Sequence, residues 1–414
     1  MTAETIASRG RGAWALPIAL VAGLIAMLAA GGARADAASD RWVQSFWPRA
    51  EAAGITRATY TAALGNFEPD PTVIPRATNQ PEFVRPIWEY LDGAVSAERI
   101  ANGIAKLPQY GQLLADLEAR YGVNRYIVLA IWGLESAYGA ILNNTNVVKP
   151  VIRSLATLAY QGGSRQSYGE TQLIAALKIL QRGDVTLANM TGSWAGAMGH
   201  TQFIPTTFES YAVDWDGDGR RNVWSSIPDA LASTASYLNR MGWEPGKTWG
   251  YEVRLPAGFD YRLSESGDAR TLAQWSSMGI ARASGAAFPR PTDTATLWVP
   301  AGAHGPAFLL LHNFRVIKRY NNANSYALAI GHLADRLQGF GTFQQSWPRD
   351  ERPLNADERR ELQQLLARLG LYNGAIDAVV GTGTRTAIMT YQQQAGLVAD
   401  GYPSDRLLQA LRNR

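Results

Sequence analysis

The segment Ile127-Val-Leu-Ala-Ile-Trp-Gly-Leu-Glu-Ser-Ala-Tyr-Gly139 places one carboxylate on the apolar face of a predicted helix. Ile127, Ile131 and Leu134 recur at the spacing of a single helix face. Glu135 is the next member of that stripe, in the last turn before the small residues that end the helix. The pattern therefore predicts a buried or half-buried carboxylate beside a cleft.

A carboxylate in that position has two interpretations. A buried charge without a partner costs on the order of 3–5 kcal/mol, so the group becomes protonated or acquires a partner. Burial raises a carboxyl pKa, which suits a general acid that works near neutral pH. The alternative is a structural Glu135 that pairs with an arginine or caps a backbone group.

Composition limits the class of protein. A chain of 414 residues with 46% hydrophobic and 18% charged residues is globular and long enough for two or three domains. The net charge of +4 is too small to indicate nucleic-acid binding. The absence of cysteine excludes disulfides and thiol catalysis, and neither an HExxH nor a GxSxG motif is present.

The first 35 residues have the pattern of a secretory signal. Arg9 and Arg11 precede an apolar stretch, and Ala33-Arg34-Ala35 is an A-x-A cleavage site before Asp36. An uncleaved membrane anchor is the alternative, but Pro17 and the Gly31-Gly32 pair interrupt the apolar stretch and favour cleavage. We therefore predict a periplasmic mature protein.

The chain up to residue 181 is predicted to be helical. Segment 40–120 is interrupted by prolines between Phe67 and Pro86, and residues 80–90 are predicted to be extended or a loop. Further helix is predicted between Pro150 and Gln181.

Two later stretches differ from ordinary helix. Residues 192–205 (GSWAGAMGHTQFIP) contain closely spaced glycines, which allow the backbone to approach a ligand; a purely structural connector is the alternative. Residues 214–229 begin like a calcium loop, with Asp214, Asp216 and Asp218 followed by glycine. The glutamate expected at position 12 of such a loop is replaced by Ser225, so a variant loop that returns through Asp229 and a solvated turn both remain open.

The second half of the chain is divided by composition. Short apolar runs between residues 242 and 314 predict a small β-containing insertion, and a helix is predicted from Tyr326 to Leu337. The Gly/Pro/polar stretch 338–354 is predicted to be a linker. Residues 355–414 then form a small module with three helical segments, at 357–369, 384–395 and 404–411.

These motifs together closely resemble the membrane-bound lytic transglycosylase B family, in its soluble secreted form with a C-terminal peptidoglycan-binding module. The resemblance covers residues 40–337. Its motifs are Leu134–Gly139, Gly192–Pro205, the 214–229 loop with Asn222-Val-Trp224, and Arg319-Tyr-Asn321 with Tyr326. Residues 355–414 resemble a three-helix peptidoglycan-binding domain, although Ala378 stands where that domain usually has glycine and Val380 where it usually has an aromatic residue.

The resemblance implies a mainly α (α+β) fold: a lysozyme-like catalytic domain over residues 36–337 with a small β-containing insertion, followed by the linker and the binding domain. It implies cleavage of the β-1,4 bond between N-acetylmuramic acid and N-acetylglucosamine without water, leaving a 1,6-anhydro end. By position, Glu135 matches the family's single catalytic acid and base. The matching substrate-binding positions are Tyr90, Ser193, Gln202, Phe203, Tyr320, Asn321 and Tyr326, and the matching calcium positions are Asp214, Asp216, Asp218, Arg220 and Asp229.

A single carboxylate fits this reaction better than ordinary hydrolysis. Most glycosidases use two acids, whereas the acids Glu170 and Asp184 lie in separate polar stretches away from Glu135. Tyr320 is predicted to bond either Glu135 or the sugar. A water-using muramidase, a non-catalytic wall-binding protein and a calcium-dependent carbohydrate-binding protein remain the alternatives.

The predicted partners follow from the same resemblance. We expect the protein to bind peptidoglycan glycan strands, to bind no nucleic acid, to keep no membrane anchor after signal cleavage, and to be monomeric. No cofactor is expected in the chemistry, and a structural Ca²⁺ is expected in the Asp214–Asp229 loop.

Overall fold

The computed structural model describes residues 37–78 and 86–414. The predicted signal peptide, residues 1–35, lies outside the described residues. The first described helix, α1, spans 37–52. The helices that follow in the catalytic region are α2 Arg57–Leu64, α3 Val73–Thr78, α4 Ile87–Ala94, α5 Ala97–Ile104, α6 Leu107–Tyr121, α7 Arg125–Ser136, α8 Val151–Gln161, α9 Gln166–Arg182, α10 Pro205–Tyr211, α11 Ile227–Arg240, α12 Arg262–Glu265, α13 Leu272–Ser277, α14 His312–Tyr320 and α15 Asn324–Leu337. The C-terminal helices are α16 Ala356–Arg368, α17 Thr382–Gln394 and α18 Asp405–Arg412.

Helix α7 is the centre of the main core. Its side chains from Ile127 to Trp132 are at most 3% exposed on every face of the helix, so the apolar stripe predicted from the sequence is only part of a helix that is buried all round. The segment Arg125–Asn143 is apolar and long enough to cross a membrane, but half of its most apolar window is buried inside this core. It is therefore well explained as a core helix.

Helix α15 packs against α7, and both contribute to one large hydrophobic cluster with α6, α8, α9 and α11. Small residues allow the close packing: a methyl group on Gly133 would fall 2.5 Å from the ring of Tyr138. A methyl group on Gly331 would likewise fall 2.6 Å from the ring of Trp249. The glycines therefore bring aromatic rings directly against the two central helices.

Within the described residues, the strands form one five-stranded and one two-stranded antiparallel sheet. The larger sheet has the order β4-β6-β7-β3-β5, and the smaller pairs β1 with β2. The strands are β1 Lys149–Pro150, β2 Thr191–Gly192, β3 Gly250–Arg254, β4 Arg270–Thr271, β5 Ala281–Arg282, β6 Thr294–Trp298 and β7 Ala307–Leu310. One face of the larger sheet covers a second core around Trp275 and Leu309. This sheet is the small β-containing insertion predicted from the sequence.

The prediction of an extended segment over residues 80–90 is wrong at its C-terminal end. Residues 79–85 lie outside the described residues, but α4 begins at Ile87 and contains Trp88 and Tyr90. Pro86 is the N-cap of this helix with φ −54°. A proline at the beginning of a helix has no hydrogen bond to lose, so it starts α4 and does not prevent it.

The segment predicted as a linker, 338–354, makes specific contacts with the catalytic region. The backbone N–H groups of Gln344 and Gln345 both donate to the Glu252 carboxylate at 2.8 Å. Arg349 makes two hydrogen bonds of 2.7 Å to Asp92 on α4. The segment therefore holds β3 and α4 together as well as connecting two domains.

The C-terminal module has its own core, formed where α16, α17 and α18 meet. Its polar centre is Gln363, which is fully buried, donates to Asp377 at 3.0 Å and accepts from the N–H of Ala378 at 2.9 Å. Ala378 has φ 65°, a left-handed conformation that explains why glycine is usual at this position. The module also contacts the larger sheet's end, where Asp400 accepts from the N–H of Ala303 at 2.8 Å.

Candidate active site

The end of α7 sets the position of Glu135. Asn124 caps the beginning of the helix by accepting from the N–H groups of Tyr126 and Ile127. Ala137 ends it with φ 50°, and Tyr138 is also left-handed, with φ 57°. This reversal turns the chain away and leaves Glu135 partly exposed in the last turn.

Protein surrounds the Glu135 carboxyl on most sides. Tyr326 on α15, which is 5% exposed, donates from its hydroxyl to Oε1 of Glu135 at 2.6 Å. Burial raises the pKa of Glu135 to about 7, and the hydrogen bond from Tyr326 opposes this shift because it stabilises the carboxylate. The last backbone carbonyls of α7 form the negative end of the helix dipole, so they also raise the pKa of Glu135. Glu135 is thus able both to donate and to accept a proton near neutral pH.

Two more tyrosines lie near this carboxyl. Burial raises the pKa of Tyr90 to about 12, and the negative charge of Glu135 adds to that shift. Burial and Glu135 likewise hold the pKa of Tyr320 and that of Tyr326 well above the usual range. All three phenols therefore stay protonated, and Tyr326 remains a hydrogen-bond donor at every physiological pH. The hydroxyl of Tyr320 donates to the carbonyl of Thr201, so Tyr326 and not Tyr320 is the tyrosine that bonds Glu135.

The glycine-rich stretch is a loop of tight turns beside α7. The N–H of Met198 donates to the carbonyl of Phe203 at 2.8 Å, which closes the loop on itself. Gly199 has φ 66°, and a methyl group there would fall 2.2 Å from the carbonyl oxygen of Val223. Only glycine fits this position, as the sequence pattern suggested.

Ser193 and Gln202 make different hydrogen bonds within the loop. The Ser193 hydroxyl accepts from the N–H groups of Ala195 and Ala197 at 3.3 and 3.1 Å, so its own proton remains available to a ligand. Gln202 is a non-glycine residue with φ 53°, and its amide donates to the carbonyl of Gly199 at 2.8 Å. A left-handed non-glycine residue costs on the order of 1–3 kcal/mol and is typical of functional sites.

Phe203 and Asn321 were both predicted to line the cleft. The structure buries the side chain of Phe203 and leaves that of Asn321 exposed. Phe203 is 2% exposed and its ring packs against Tyr320 at 5.8 Å and Tyr237 at 5.9 Å, so its side chain supports the wall of the cleft from behind. Asn321 is exposed directly after the end of α14. The structure thus brings Tyr90, Tyr320 and Tyr326 to Glu135 and leaves Phe203 beneath that surface.

His200 and Trp132 join the loop to α7, a connection that the sequence did not reveal. The indole N–H of Trp132 donates to Nδ1 of His200 at 3.1 Å, which places the remaining ring proton on Nε2. Burial lowers the pKa of His200 to about 4, so the ring is neutral. Gly139 makes room for it, because a methyl group there would fall 2.5 Å from the imidazole. His200 lies within the glycine-rich stretch, but nothing in the sequence marked its contact with Trp132, which is 68 residues away.

Arg99 on α5 is a second residue that sequence analysis missed. Its Nε donates to the carbonyl of Gly133 on α7 at 3.1 Å, and its guanidinium also bonds the carbonyl of Gly93 on α4. Its own carbonyl accepts from the Tyr138 hydroxyl at 3.0 Å. Arg99 therefore ties the helix of Tyr90 to the helix of Glu135.

The acidic loop brings together three of its four aspartates. Carboxylate oxygens of Asp214, Asp216 and Asp229 lie within 4.8 Å of one another. Asp229 is fully buried and accepts from the N–H groups of Trp215 and Asn222, both at 2.8 Å, so it fastens the two arms of the loop together. Asp218 lies outside this group and accepts from the N–H of Arg220 at 2.8 Å.

This loop is compatible with Ca²⁺ but supplies only part of a ligand set. All the clustered atoms are carboxylate oxygens, the hard ligands that calcium prefers. Ca²⁺ takes six to eight oxygen ligands, which is more than these three side chains supply with one oxygen each. The Arg220 carbonyl, Asp218 and water would have to complete the coordination. Burial raises the pKa of Asp229, and the negative charge of Asp216 adds to the shift, so a cation would relieve a real repulsion.

Comparison with known proteins identifies the class. The transglycosylase SLT domain model matches residues 38–335, and the putative peptidoglycan-binding domain model matches residues 355–411. The fold and site thus define a lytic transglycosylase catalytic domain followed by a peptidoglycan-binding domain. The chain belongs to the SLT-domain transglycosylase family.

Individual relatives agree with that assignment. A crystal structure of SltB3 from Pseudomonas aeruginosa in complex with NAG-anhNAM-pentapeptide has a TM-score of 0.83 and 50% identity, over 90% of this chain and 99% of that chain. Soluble lytic transglycosylase SltB1 of the same organism has a TM-score of 0.62 and 28% identity, over 72% and 100% of the two chains. Membrane-bound lytic murein transglycosylase B of Escherichia coli is 29% identical over 261 residues, which span 59% of this chain and 65% of that protein.

These findings confirm the predicted family and the predicted fold class. The protein is mainly helical, with a lysozyme-like transglycosylase domain, a small sheet and a helical C-terminal peptidoglycan-binding domain. Its relatives are lytic transglycosylases, enzymes that act on peptidoglycan. The roles of individual residues follow as proposals.

Proposed function

We propose that the protein cleaves the β-1,4 bond between N-acetylmuramic acid and N-acetylglucosamine in peptidoglycan and leaves a 1,6-anhydromuramic end, with Glu135 as acid and then as base. The observation that carries this proposal is the environment of Glu135. Burial raises its pKa to about 7, and among the described side chains Tyr326 alone contributes a hydrogen bond to the shift. Among the described residues, no second carboxylate perturbs Glu135, so a two-acid hydrolytic mechanism has no obvious second member.

The reaction can be written with one carboxyl. Protonated Glu135 donates its proton to the glycosidic oxygen while the bond from that oxygen to C1 of the muramic acid breaks. The N-acetyl group of the muramic acid stabilises the positive charge at C1. Glu135, now a carboxylate, removes the proton from the C6 hydroxyl as its oxygen bonds to C1, which closes the anhydro ring and restores the acid.

Tyr326 supports both halves of this cycle. Its hydroxyl bonds Oε1 of Glu135 and so leaves Oε2 to carry the transferable proton. The same bond stabilises the carboxylate that forms after the first proton transfer. A fixed donor that is already in place requires no reorganisation during the reaction.

The cleft residues hold the sugars beside this carboxyl in our proposal. Ser193 has a free hydroxyl proton for an N-acetyl carbonyl, and Gln202 is presented by a strained loop. Tyr90 and Tyr320 lie close enough to Glu135 for its charge to affect their pKa values, and Phe203 packs behind Tyr320. Asn321 is exposed directly after α14. Positioning of this kind supplies much of the rate enhancement of a reaction within one substrate.

Product analysis tests the proposed reaction. Digestion of purified sacculi is expected to yield muropeptides with anhydro ends, each lighter by one water than the hydrolytic product, when they are analysed by mass spectrometry. A water-using muramidase would instead give reducing ends only. A non-catalytic wall-binding protein would leave the turbidity of a sacculus suspension unchanged.

We also propose that the Asp214–Asp229 loop holds a structural Ca²⁺ that takes no part in the chemistry. The proximity of Asp214, Asp216 and Asp229 supports this. A chelator is expected to lower the melting temperature by a few degrees, and Ca²⁺ to restore it, which corresponds to about 1 kcal/mol in a protein of this size. The matched variant Asp216→Asn should remove the calcium effect; an identical chelator effect in that variant would contradict the proposal.

We infer a periplasmic location and a monomeric state for the mature protein. The pattern of residues 1–35 supports export, and peptidoglycan lies outside the cytoplasmic membrane. The expected observations are a periplasmic protein whose N-terminus begins at Asp36, by mass spectrometry, and a single monomeric species by light scattering. A larger mass that retains the first 35 residues would contradict cleavage.

A further inference from the structure

A cavity lies away from Glu135, at the other end of the α7–α15 pair. It has a volume of about 590 Å³ and is lined by parts of α15, β3 and segment 338–344. Asp335 lines it from the end of α15, and Ile127 from the beginning of α7. Asp335 follows Tyr326 by nine residues on the same helix, a separation of about 13 Å along its axis. The cavity is therefore distinct from the site of Glu135.

Asp335 presents a carboxyl that is built into this cavity. The indole N–H of Trp249 donates to its Oδ2 at 3.1 Å. Gly331 lies one helical turn earlier and leaves the space that Trp249 occupies, since a methyl group would fall 2.6 Å from that ring. Burial raises the pKa of Asp335 to about 7, against the effect of the Trp249 bond. In the described part of the chain, the second carboxyl oxygen has no hydrogen-bond partner.

Two more polar groups around the cavity lack partners. His332 is 7% exposed, and its ring stacks on Phe343 at 3.9 Å without making a hydrogen bond to any described residue. Burial lowers its pKa to about 4, so it is neutral and one ring nitrogen can accept a hydrogen bond. Trp243 is 5% exposed, and its buried indole N–H has no acceptor within the described ranges. Of these groups, the indole N–H of Trp243 is a fully buried polar atom without a partner among the described residues, and such atoms are rare and indicate a missing ligand or water.

Some of the remaining charged side chains around the cavity have partners of opposite charge or backbone hydrogen bonds, and others form no ion pair with a described residue. Glu118 pairs with Arg125, and Lys247 pairs with Asp293. Glu252 accepts from the N–H groups of segment 344–345. Two other basic side chains line the cavity without an ion pair to any carboxylate of the described chain: Arg282 and Arg290. Arg282 donates to the carbonyl of Ala287 at 3.1 Å and lies over the ring of Tyr251 at 4.8 Å, but no described carboxylate balances its charge. The cavity therefore combines hydrogen-bond acceptors with cations that have no carboxylate partner in the described chain.

We propose that this cavity binds a zwitterionic amino-acid head group, with its ammonium at Asp335 and His332 and its carboxylate at Arg282 and Arg290. In peptidoglycan, such a head group is the free end of the diamino acid in a stem peptide that is not cross-linked. The inference rests on the proposed function for the source of the ligand. It gives the enzyme a recognition site for the peptide, separate from the cleft that cleaves the sugar chain.

Isothermal titration of the full-length mature protein with the tripeptide L-Ala-γ-D-Glu-meso-diaminopimelate tests the proposal. Binding is expected for the wild type and should weaken at least tenfold for Asp335→Asn, which keeps an acceptor for Trp249 and so preserves the packing. Arg290→Gln, on the exposed rim, should weaken it similarly. Acetylation of the distal amine of the tripeptide should have the same effect on the wild-type protein. No binding to the wild type, which means a cavity that holds only water, or equal affinity in the variants, would overturn the proposal.

Activity measurements separate this inference from the proposed function. Asp335→Asn should lower kcat/KM severalfold on intact sacculi and leave it unchanged within twofold on glycan strands stripped of peptide. Glu135→Gln should bind the tripeptide like the wild type. If Glu135→Gln were fully active, the proposed mechanism would fail while the tripeptide site could still stand. If a peptide-free chito-oligosaccharide displaced the tripeptide, the ligand would lie in the cleft and the inference would be wrong.

Discussion

Glu135 and Asp335 have nearly the same electrostatic description and different surroundings. Burial raises the pKa of each to about 7, and each accepts one hydrogen bond from an aromatic residue, Tyr326 at 2.6 Å and Trp249 at 3.1 Å. Both lie on the two central helices of the same core. A raised carboxyl pKa by itself therefore does not identify the catalytic group in this protein.

The neighbours of the two carboxyls make the difference. Glu135 is in the last turn of its helix, with Tyr90 and Tyr320 close enough for its charge to affect their pKa values. Asp335 faces a cavity with a neutral histidine and two arginines that form no ion pair with a carboxylate of the described chain. The first arrangement suits proton transfer to a long polymer in a cleft, and the second suits the capture of a small charged group. The neighbours of each carboxyl, and not the size of its pKa shift, therefore distinguish the two roles.

The largest expected difference between the two carboxyls is in turnover. Glu135→Gln should reduce turnover of sacculi by about 10³-fold, because general acid–base catalysis contributes 10²- to 10⁴-fold in rate and this residue acts in both steps. Binding to sacculi, measured by co-sedimentation, should be retained. Asp335→Asn is the matched control, with the same loss of a buried carboxyl. Comparable losses of activity on peptide-free glycan in the two variants would remove the distinction drawn above.

A smaller effect is expected on stability, where the two carboxyls should behave alike. Each folded-state pKa of about 7 lies above the ordinary value, 4.5 for glutamate and 3.8 for aspartate. Protonation therefore contributes stability that is fully present below the ordinary pKa and is lost as pH rises through about 7. Each neutral amide variant should gain about 3 kcal/mol in free energy of unfolding over the wild type at pH 8, and little at pH 4.

Denaturant unfolding at the two pH values measures this gain. Glu135→Gln and Asp335→Asn should both show a higher midpoint at pH 8 than the wild-type protein. If both variants were instead less stable than the wild type at pH 8, the fold would be stabilising the two carboxylates. Such a result would contradict the buried, nearly neutral character of both sites.

The sequence predicted one of these carboxyls and not the other, for reasons that the structure makes clear. Glu135 interrupts an apolar stripe, which is visible in a short window. Asp335 stands next to Arg336 in a segment that has the pattern of an ordinary amphipathic helix, so nothing marks it. Its burial depends on Trp249, which is 86 residues away in the chain.

Contacts between distant segments also limited the prediction of the catalytic site. The bond from Tyr326 to Glu135 joins residues 191 positions apart, and the family resemblance suggested both residues without their contact. The pattern of prolines before Tyr90 predicted a loop, because a proline that ends one helix and a proline that begins the next look the same in the sequence. Helices with strong periodicity and the C-terminal module were predictable, since local patterns determine them.

The smallest expected difference is in the pH dependence of activity after removal of each aromatic donor. The bond from Tyr326 stabilises the Glu135 carboxylate, so Tyr326→Phe should raise the pKa of Glu135 and move the high-pH limb of kcat/KM to higher pH. The rate on the plateau should fall about tenfold, since one preorganised donor to the developing carboxylate is lost. Trp249→Phe removes the corresponding donor to Asp335 and should leave the limb where it is in the wild type, because that carboxyl takes no part in proton transfer. If the high-pH limb of kcat/KM moved to lower pH in Tyr326→Phe, Tyr326 would favour the protonated form of Glu135. If the limb moved in Trp249→Phe, the two sites would be connected through the α7–α15 pair.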